Sequence, residues 1–118
     1  MGTIKRIEPN ARLSRAVVYN GMVFLAGIGA DDLNQDFRSQ LENVLAKADR
    51  YLAAAGSDKT RILTTEIWIQ NVEDFGVLNE LWSAWLPSDS MPARATTRAD
   101  MTVPNLLVEL LITAATAE

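Results

Sequence analysis

The chain has 118 residues, a formal net charge of −4, 48% hydrophobic residues, and neither histidine nor cysteine. That length and composition fit one globular domain, residues 1–118, large enough to bury a core without disulfide or metal staples. The missing residue types exclude Ser-His-Asp and Cys-His catalysis, thiolate chemistry and cysteine-based zinc sites, and the scattered basic residues give no footprint for nucleic acid.

The opening "MGTIKRIEPN" lacks the apolar core of a secretory leader. No run approaches the ~20 apolar residues of a membrane span. A cytoplasmic protein is therefore the expectation. "TIKRIEP" alternates and stops at Pro9, which reads as a short edge strand. In "RAVVYNGMVFLAGIGA" two β-rich runs flank Asn20-Gly21, a two-residue hairpin signal because both turn positions want positive φ. Gly27 and Gly29 break the second run, as at a bulge or a close backbone approach.

"DFRSQLENVLAKADRYLAAAG" predicts a helix. Phe37, Leu41, Val44, Leu45, Ala48, Leu52 and Ala55 share one face, and Gly56 supplies the left-handed stop. "RILTTEIWIQ" predicts a strand, with Leu63, Thr65, Ile67 and Ile69 on one face. "NVEDFGVLNELWSAWLP" predicts a second helix, capped by Asn71 with Asp74 three residues on, carrying a stripe of Phe75, Leu78, Trp82 and Trp85, and ended by Pro87. "ARATTRADMT" and "LLVELLITAA" predict two final strands joined across "VPN".

The order β-ββ-α-β-α-ββ implies an α+β fold, a mixed sheet with both helices on one face. In "LLVELLIT" both faces of the strand are apolar, and two helices cover only one. The other face predicts contact with a further copy of the chain.

Glu109 stands alone among those leucines. A desolvated carboxylate costs several kcal/mol unless paired. If the last two strands form a hairpin, Arg94 lies roughly opposite it and can meet it through two parallel hydrogen bonds. Two readings follow from the pattern: a structural ion pair, or an arginine anchor for an anionic substrate beside a glutamate that holds water or protons. Asn79, mid-helix between Phe75 and Trp82, reads first as a surface amide. Arg98 and Asp100 read as solvated or cross-strand partners.

"PARAT", followed fifteen residues after its arginine by the glutamate of "VEL", resembles the C-terminal pattern of the RidA/YjgF reactive-intermediate deaminase family. "SRAVVYNGMVFLAG" and "QLENVLAKADRYLAAAGSDKTRILTTEIWIQNVEDFGVLNELW" agree with it in order, from about Leu13 to Ala115. The resemblance implies a chorismate-mutase-like fold and a homotrimer with clefts between subunits. It implies hydrolysis of enamine/imine intermediates, small carboxylate substrates, to 2-keto acids and ammonia, with no cofactor or metal. It assigns Arg94 to the substrate carboxylate, Glu109 to the attacking water, Asn79 to support of the cleft, and Gly27 to a backbone N–H facing the ligand.

The chain departs from the deaminase branch at four further cleft positions. Leu13 replaces a tyrosine, Ala26 a serine, Ile28 a glutamine and Thr96 a cysteine. A more apolar pocket, and a bulkier or more hydrophobic substrate, is the expectation. Loss of polar groups at Leu13, Ala26 and Ile28 also keeps open a non-catalytic protein that binds keto or imino acids. The ribonuclease label attached to this family is disfavoured by the acidic balance and the absent basic patch.

Overall fold

Asn20 and Gly21 make the expected turn, with φ of 51° and 76°. They join strand β2 (Ser14–Tyr19) to β3 (Met22–Leu25) in a two-residue hairpin that pairs Tyr19 with Met22. Strand β1 (Lys5–Pro9) pairs antiparallel with β2 at one sheet edge. A computed structural model describes residues 2–117. Helix α1 (Phe37–Ala54) begins where Asp36 accepts the Ser39 N–H at 2.9 Å. That bond favours the ionised carboxylate and holds the Asp36 carboxyl below its ordinary range. The helix buries Leu41, Val44, Ala48 and Leu52 completely against the sheet, on the face that three-and-four spacing requires.

Strand β4 (Ile62–Ile69), helix α2 (Phe75–Trp85), β5 (Ala93–Arg98) and β6 (Val108–Ala115) complete the fold. β4 differs from simple alternation. Its register against β6 shifts between Ile62 and Thr64. The extra residue reverses the alternation, so Ile62 joins Thr65, Ile67 and Ile69 in the core and Leu63 is left 44% exposed. The start of α2 also differs. Residues Val72–Asp74 form a 3₁₀ turn, and neither Asn71 nor Asp74 caps through its side chain. Asp74 takes the capping position with helical dihedrals, φ −84° and ψ −2°, where side-chain capping needs an extended residue.

The sheet order is β1-β2-β3-β6-β4-β5. Here the expectation of a final hairpin fails. The α2 crossover returns the chain so that β5 lies parallel to β4 at the opposite edge. The 99–107 segment then passes the end of β4, and β6 enters between β3 and β4, antiparallel to both. Gln40 anchors that segment to α1. This residue is 1% exposed and fully satisfied: it accepts the Leu107 N–H at 3.0 Å and donates to Asn105 O at 2.9 Å and Gln35 O at 3.1 Å.

The molecule measures 45 × 38 × 20 Å. The short axis accommodates one helical layer on one sheet layer, and both helices share a face. Phe24, Leu63 and Leu111 stand exposed on the bare face, with Trp68 half-buried among them. No helix among the described residues is long and apolar enough to cross a membrane.

Candidate active site

Register alone separates the two residues that the sequence suggests as partners. Arg94 lies opposite Thr65 on β4, and Glu109 lies opposite Trp68 on the same strand. Thr65 and Trp68 are three apart, so they face opposite ways. Arg94 is therefore on the helix side of the sheet and Glu109 on the bare side, with β4 between them. The intramolecular ion pair is corrected on this ground. Among the described residues neither side chain has an ion-pair partner.

Arg94 is nonetheless closely held. Its Nη2 donates to Asn79 Oδ1 at 2.7 Å. Its guanidinium carbon stands 5.9 Å from the Phe75 ring centre and 5.8 Å from that of Trp82. Phe75, Asn79 and Trp82 fall on one face of α2 because they are spaced by four and three residues. Two aromatic rings and one amide thus fix a cation that no carboxylate of the described residues neutralises. Burial pushes the Arg94 pKa below its ordinary value, yet a guanidinium in a protein stays protonated. A charge-assisted hydrogen bond is worth about 1.5–3 kcal/mol, and a partly desolvated cation–π contact about 1 kcal/mol. These contributions hold the guanidinium in place with its remaining donors free. Thr96 is the next residue on the same strand face. Its hydroxyl, and that of Thr65, are buried without a hydrogen-bond partner among the described residues.

Two hollows lie near this cluster, one bordering Arg94 itself and one meeting it through Phe75 and Thr96. One, of about 370 Å³, is lined by Thr64, Thr65, Glu66, Ala93, Arg94 and Ala95. The other, of about 240 Å³, is lined by Ile69, Val72, Phe75, Thr96 and Arg98. A third hollow, about 330 Å³, lies over Asp31, Asp32 and the start of α1 and shares no residue with either.

Glu109 has its own setting on the bare face. Ile28 bridges to Leu110, with its N–H donating at 2.8 Å and its carbonyl accepting at 3.0 Å. This brings Gly27 alongside Glu109. A Cβ at Gly27 would collide with Glu109 Oε2 and lie 3.2 Å from its Cδ. Any side chain there would displace the carboxylate from this position. The Gly27 N–H has no partner among the described residues, while its carbonyl accepts from Arg15 Nη2 at 2.9 Å. Ala26 is half-buried beside it, and Leu13 stands 44% exposed ahead of β2. Ile28 departs from the expectation of a cleft-lining side chain. The residue next to Gly27 must face the other way, and Ile28 is fully buried under the helices.

The predicted residues thus form two groups, Arg94 with Asn79 and Thr96, and Glu109 with Gly27 and Ala26. Among the described residues no three acidic side chains gather as a metal site would require. Compared with known proteins, the sequence matches over residues 3–116 the family model described as Endoribonuclease L-PSP. It is 37% identical over 112 residues to a RutC family protein of Haemophilus ducreyi, covering 95% of this chain and 96% of that one. Its fold superimposes with a TM-score of 0.93 on NMB1025, a YjgF family member from Neisseria meningitidis, at 34% identity and over 98% and 97% of the two chains.

The chain belongs to the RidA/YjgF family.

A more distant relative is the chloroplastic Reactive Intermediate Deaminase A of Arabidopsis thaliana. The two are 28% identical over 103 residues, which cover 82% of this chain and 54% of that protein. Three residues of this RidA/YjgF member escaped the sequence reading. Arg15 fixes the Gly27 carbonyl and stacks on Tyr51, 4.8 Å from the ring centre. Gln40 sets the approach to Glu109. Thr65 places an unpartnered hydroxyl across from Arg94. Each depends on a contact distant in sequence. The signal available was a charged or polar residue inside an otherwise apolar pattern, as at Gln40.

Proposed function

We propose that this RidA/YjgF protein hydrolyses reactive enamine and imine intermediates of amino acids to 2-keto acids and ammonia. The proposed site is a cleft between the subunits of a homotrimer. The observation that carries this reading is the separation of Arg94 and Glu109 on opposite sheet faces. One chain cannot present both to a small molecule, whereas adjacent copies can. The bare apolar face and the open edge of β5 support such an assembly, since each leaves surface that a second copy would cover. The relation to a reactive intermediate deaminase supports the chemistry.

In this reading Arg94, aligned by Asn79, clamps the substrate carboxylate. Glu109 of a second copy holds a water against C2 of the protonated imine. As the C–O bond forms, Glu109 takes one proton from the water. It returns that proton to the amino nitrogen of the carbinolamine. The C–N bond then breaks, the hydroxyl proton leaves with the departing ammonia as ammonium, and the 2-keto acid remains. An enamine enters the same sequence after taking a proton at C3. Positioning supplies much of the acceleration, because the clamp and the water are held in one geometry.

The test supplies 2-aminoacrylate or 2-iminopropionate enzymatically and follows pyruvate. The expected result is release faster than in buffer and loss of roughly 100-fold in Arg94→Ala, the magnitude of one charge-assisted bidentate contact. No acceleration, or an Arg94→Ala variant equal to wild type, overturns it. A second reading, a non-catalytic binder of keto or imino acids, draws support from the apolar Leu13 and Ala26 near Gly27. Thermal stabilisation by 2-keto acids without any turnover would favour that reading.

A further inference from the structure

The hollow on the α2 side of Arg94 has a chemistry of its own. It is apolar at its base and walls, through Ile69, Val72 and Phe75. Thr96 is half-buried, but its hydroxyl is shielded from solvent. What Thr96 offers the hollow is its methyl group. Val72 is 61% exposed and Phe75 44% exposed, so two large apolar side chains border space that none of the described residues fills. Arg98 closes the outer end, loosely paired with Asp100 at 3.8 Å.

Phe75 connects this hollow to the clamp, because the same ring faces the Arg94 guanidinium. Thr96 follows Arg94 on the same strand face. A carboxylate seated on Arg94 therefore directs the rest of its molecule either here or into the hollow of Thr64, Thr65 and Glu66. The second is bordered by the Glu66 carboxylate and two threonines and reaches the bare face, where the reacting end would meet Glu109 of a second copy. The first suits a hydrocarbon group.

We propose that the hollow of Ile69, Val72, Phe75, Thr96 and Arg98 is a side-chain subsite that selects substrates with branched aliphatic or aromatic side chains. This rests on the reading of Arg94 as a carboxylate clamp. Each buried methylene contributes about 0.8 kcal/mol, or roughly four-fold in affinity. The Arg98 guanidinium lines the subsite and that of Arg94 stands across the Phe75 ring from it, so a cationic side chain is repelled. Leucine- and phenylalanine-derived imino acids are favoured over alanine-derived ones, and lysine-derived ones are excluded.

The test measures equilibrium binding of stable 2-keto acids to the full chain by calorimetry: pyruvate, 4-methyl-2-oxopentanoate and phenylpyruvate. The two bulky acids are expected to bind at least about ten-fold more tightly than pyruvate. In Val72→Trp, which fills the hollow, the ratio falls towards unity. Val72→Asp, checked for an unchanged melting profile, lowers the same ratio by charge and guards against a misfolded tryptophan variant. Equal affinities in the wild type, or a preference that survives both substitutions, overturn the subsite. Turnover of the matching imino acids separates the two claims. Arg94-dependent hydrolysis without side-chain preference leaves the deaminase reading standing and removes the subsite. Selective binding without hydrolysis does the reverse. Failure of all three acids to bind removes both the clamp and the subsite.

Discussion

Mixing two inactive variants provides the sharpest test of how this site is built. Arg94 and Glu109 flank β4 two strands apart and are offset by three residues along it. With strands about 4.8 Å apart and a rise of about 3.3 Å per residue, their Cα atoms are about 14 Å apart within one chain. Their side chains also point away from each other. An Arg94→Ala chain keeps Glu109, and a Glu109→Ala chain keeps Arg94. Alone, each is expected to lose about 100-fold or more in 2-keto acid formation. In randomly mixed 1:1 trimers, a cleft is intact when the copy giving Arg94 is the glutamate variant and its neighbour is the arginine variant. Each condition holds half the time, so about a quarter of the clefts are rebuilt. The assay co-expresses the two variants under different tags, purifies through both, and follows pyruvate from enzymatically supplied 2-aminoacrylate. After selection through both tags every remaining trimer holds both variants and has one rebuilt cleft of its three, so recovery near a third of wild type is the expected outcome. Activity no higher than the parents' mean refutes the shared cleft.

Gly27→Ala is expected to push the Glu109 carboxylate aside and lower kcat with little change in KM, because the added Cβ meets the carboxylate and leaves Arg94 untouched; an unchanged kcat would contradict the close approach. Asn79→Asp gives Arg94 an internal counter-ion at hydrogen-bond distance, so KM should rise by roughly ten-fold or more, whereas Asn79→Leu should raise it less, and the reverse order in steady-state kinetics would be evidence against a free clamp. Gln40→Leu leaves the Leu107 N–H and Asn105 carbonyl unsatisfied, at a cost of about 1–3 kcal/mol each. Its melting temperature should fall by at least roughly 5 °C, and a calorimetric scan matching wild type would show that the connector does not need this anchor.

Local pattern made several elements legible. The Asn20-Gly21 hairpin, the core face of α1 and the Pro87 stop each depend on neighbours within a few residues, where backbone preference and periodicity act directly. Gly27 was legible in part, since a glycine inside a strand pattern signals a bulge or a close approach, and the structure shows the approach of Glu109. The bulge at Ile62–Thr64 was not legible, because it exists only against Thr113 and Ala114 on another strand. Ile28 differs from its expected place for a related reason. Its family position suggested the cleft, but the bridge to Leu110 sets which way it points.

The sequence by itself determined the residue types, their spacing and the two-helix, six-strand content, including a lone arginine and a lone glutamate fifteen residues apart. Only the tertiary structure decided that these two do not meet. Strand pairing joins segments remote in the chain, and its outcome depends on which crossover returns where. The α2 crossover places β5 parallel to β4, and β6 closes the gap between β3 and β4. One residue of register then settles the face on which each side chain emerges. Arg94 emerges among the aromatics of α2, and Glu109 emerges on the bare sheet beside Gly27.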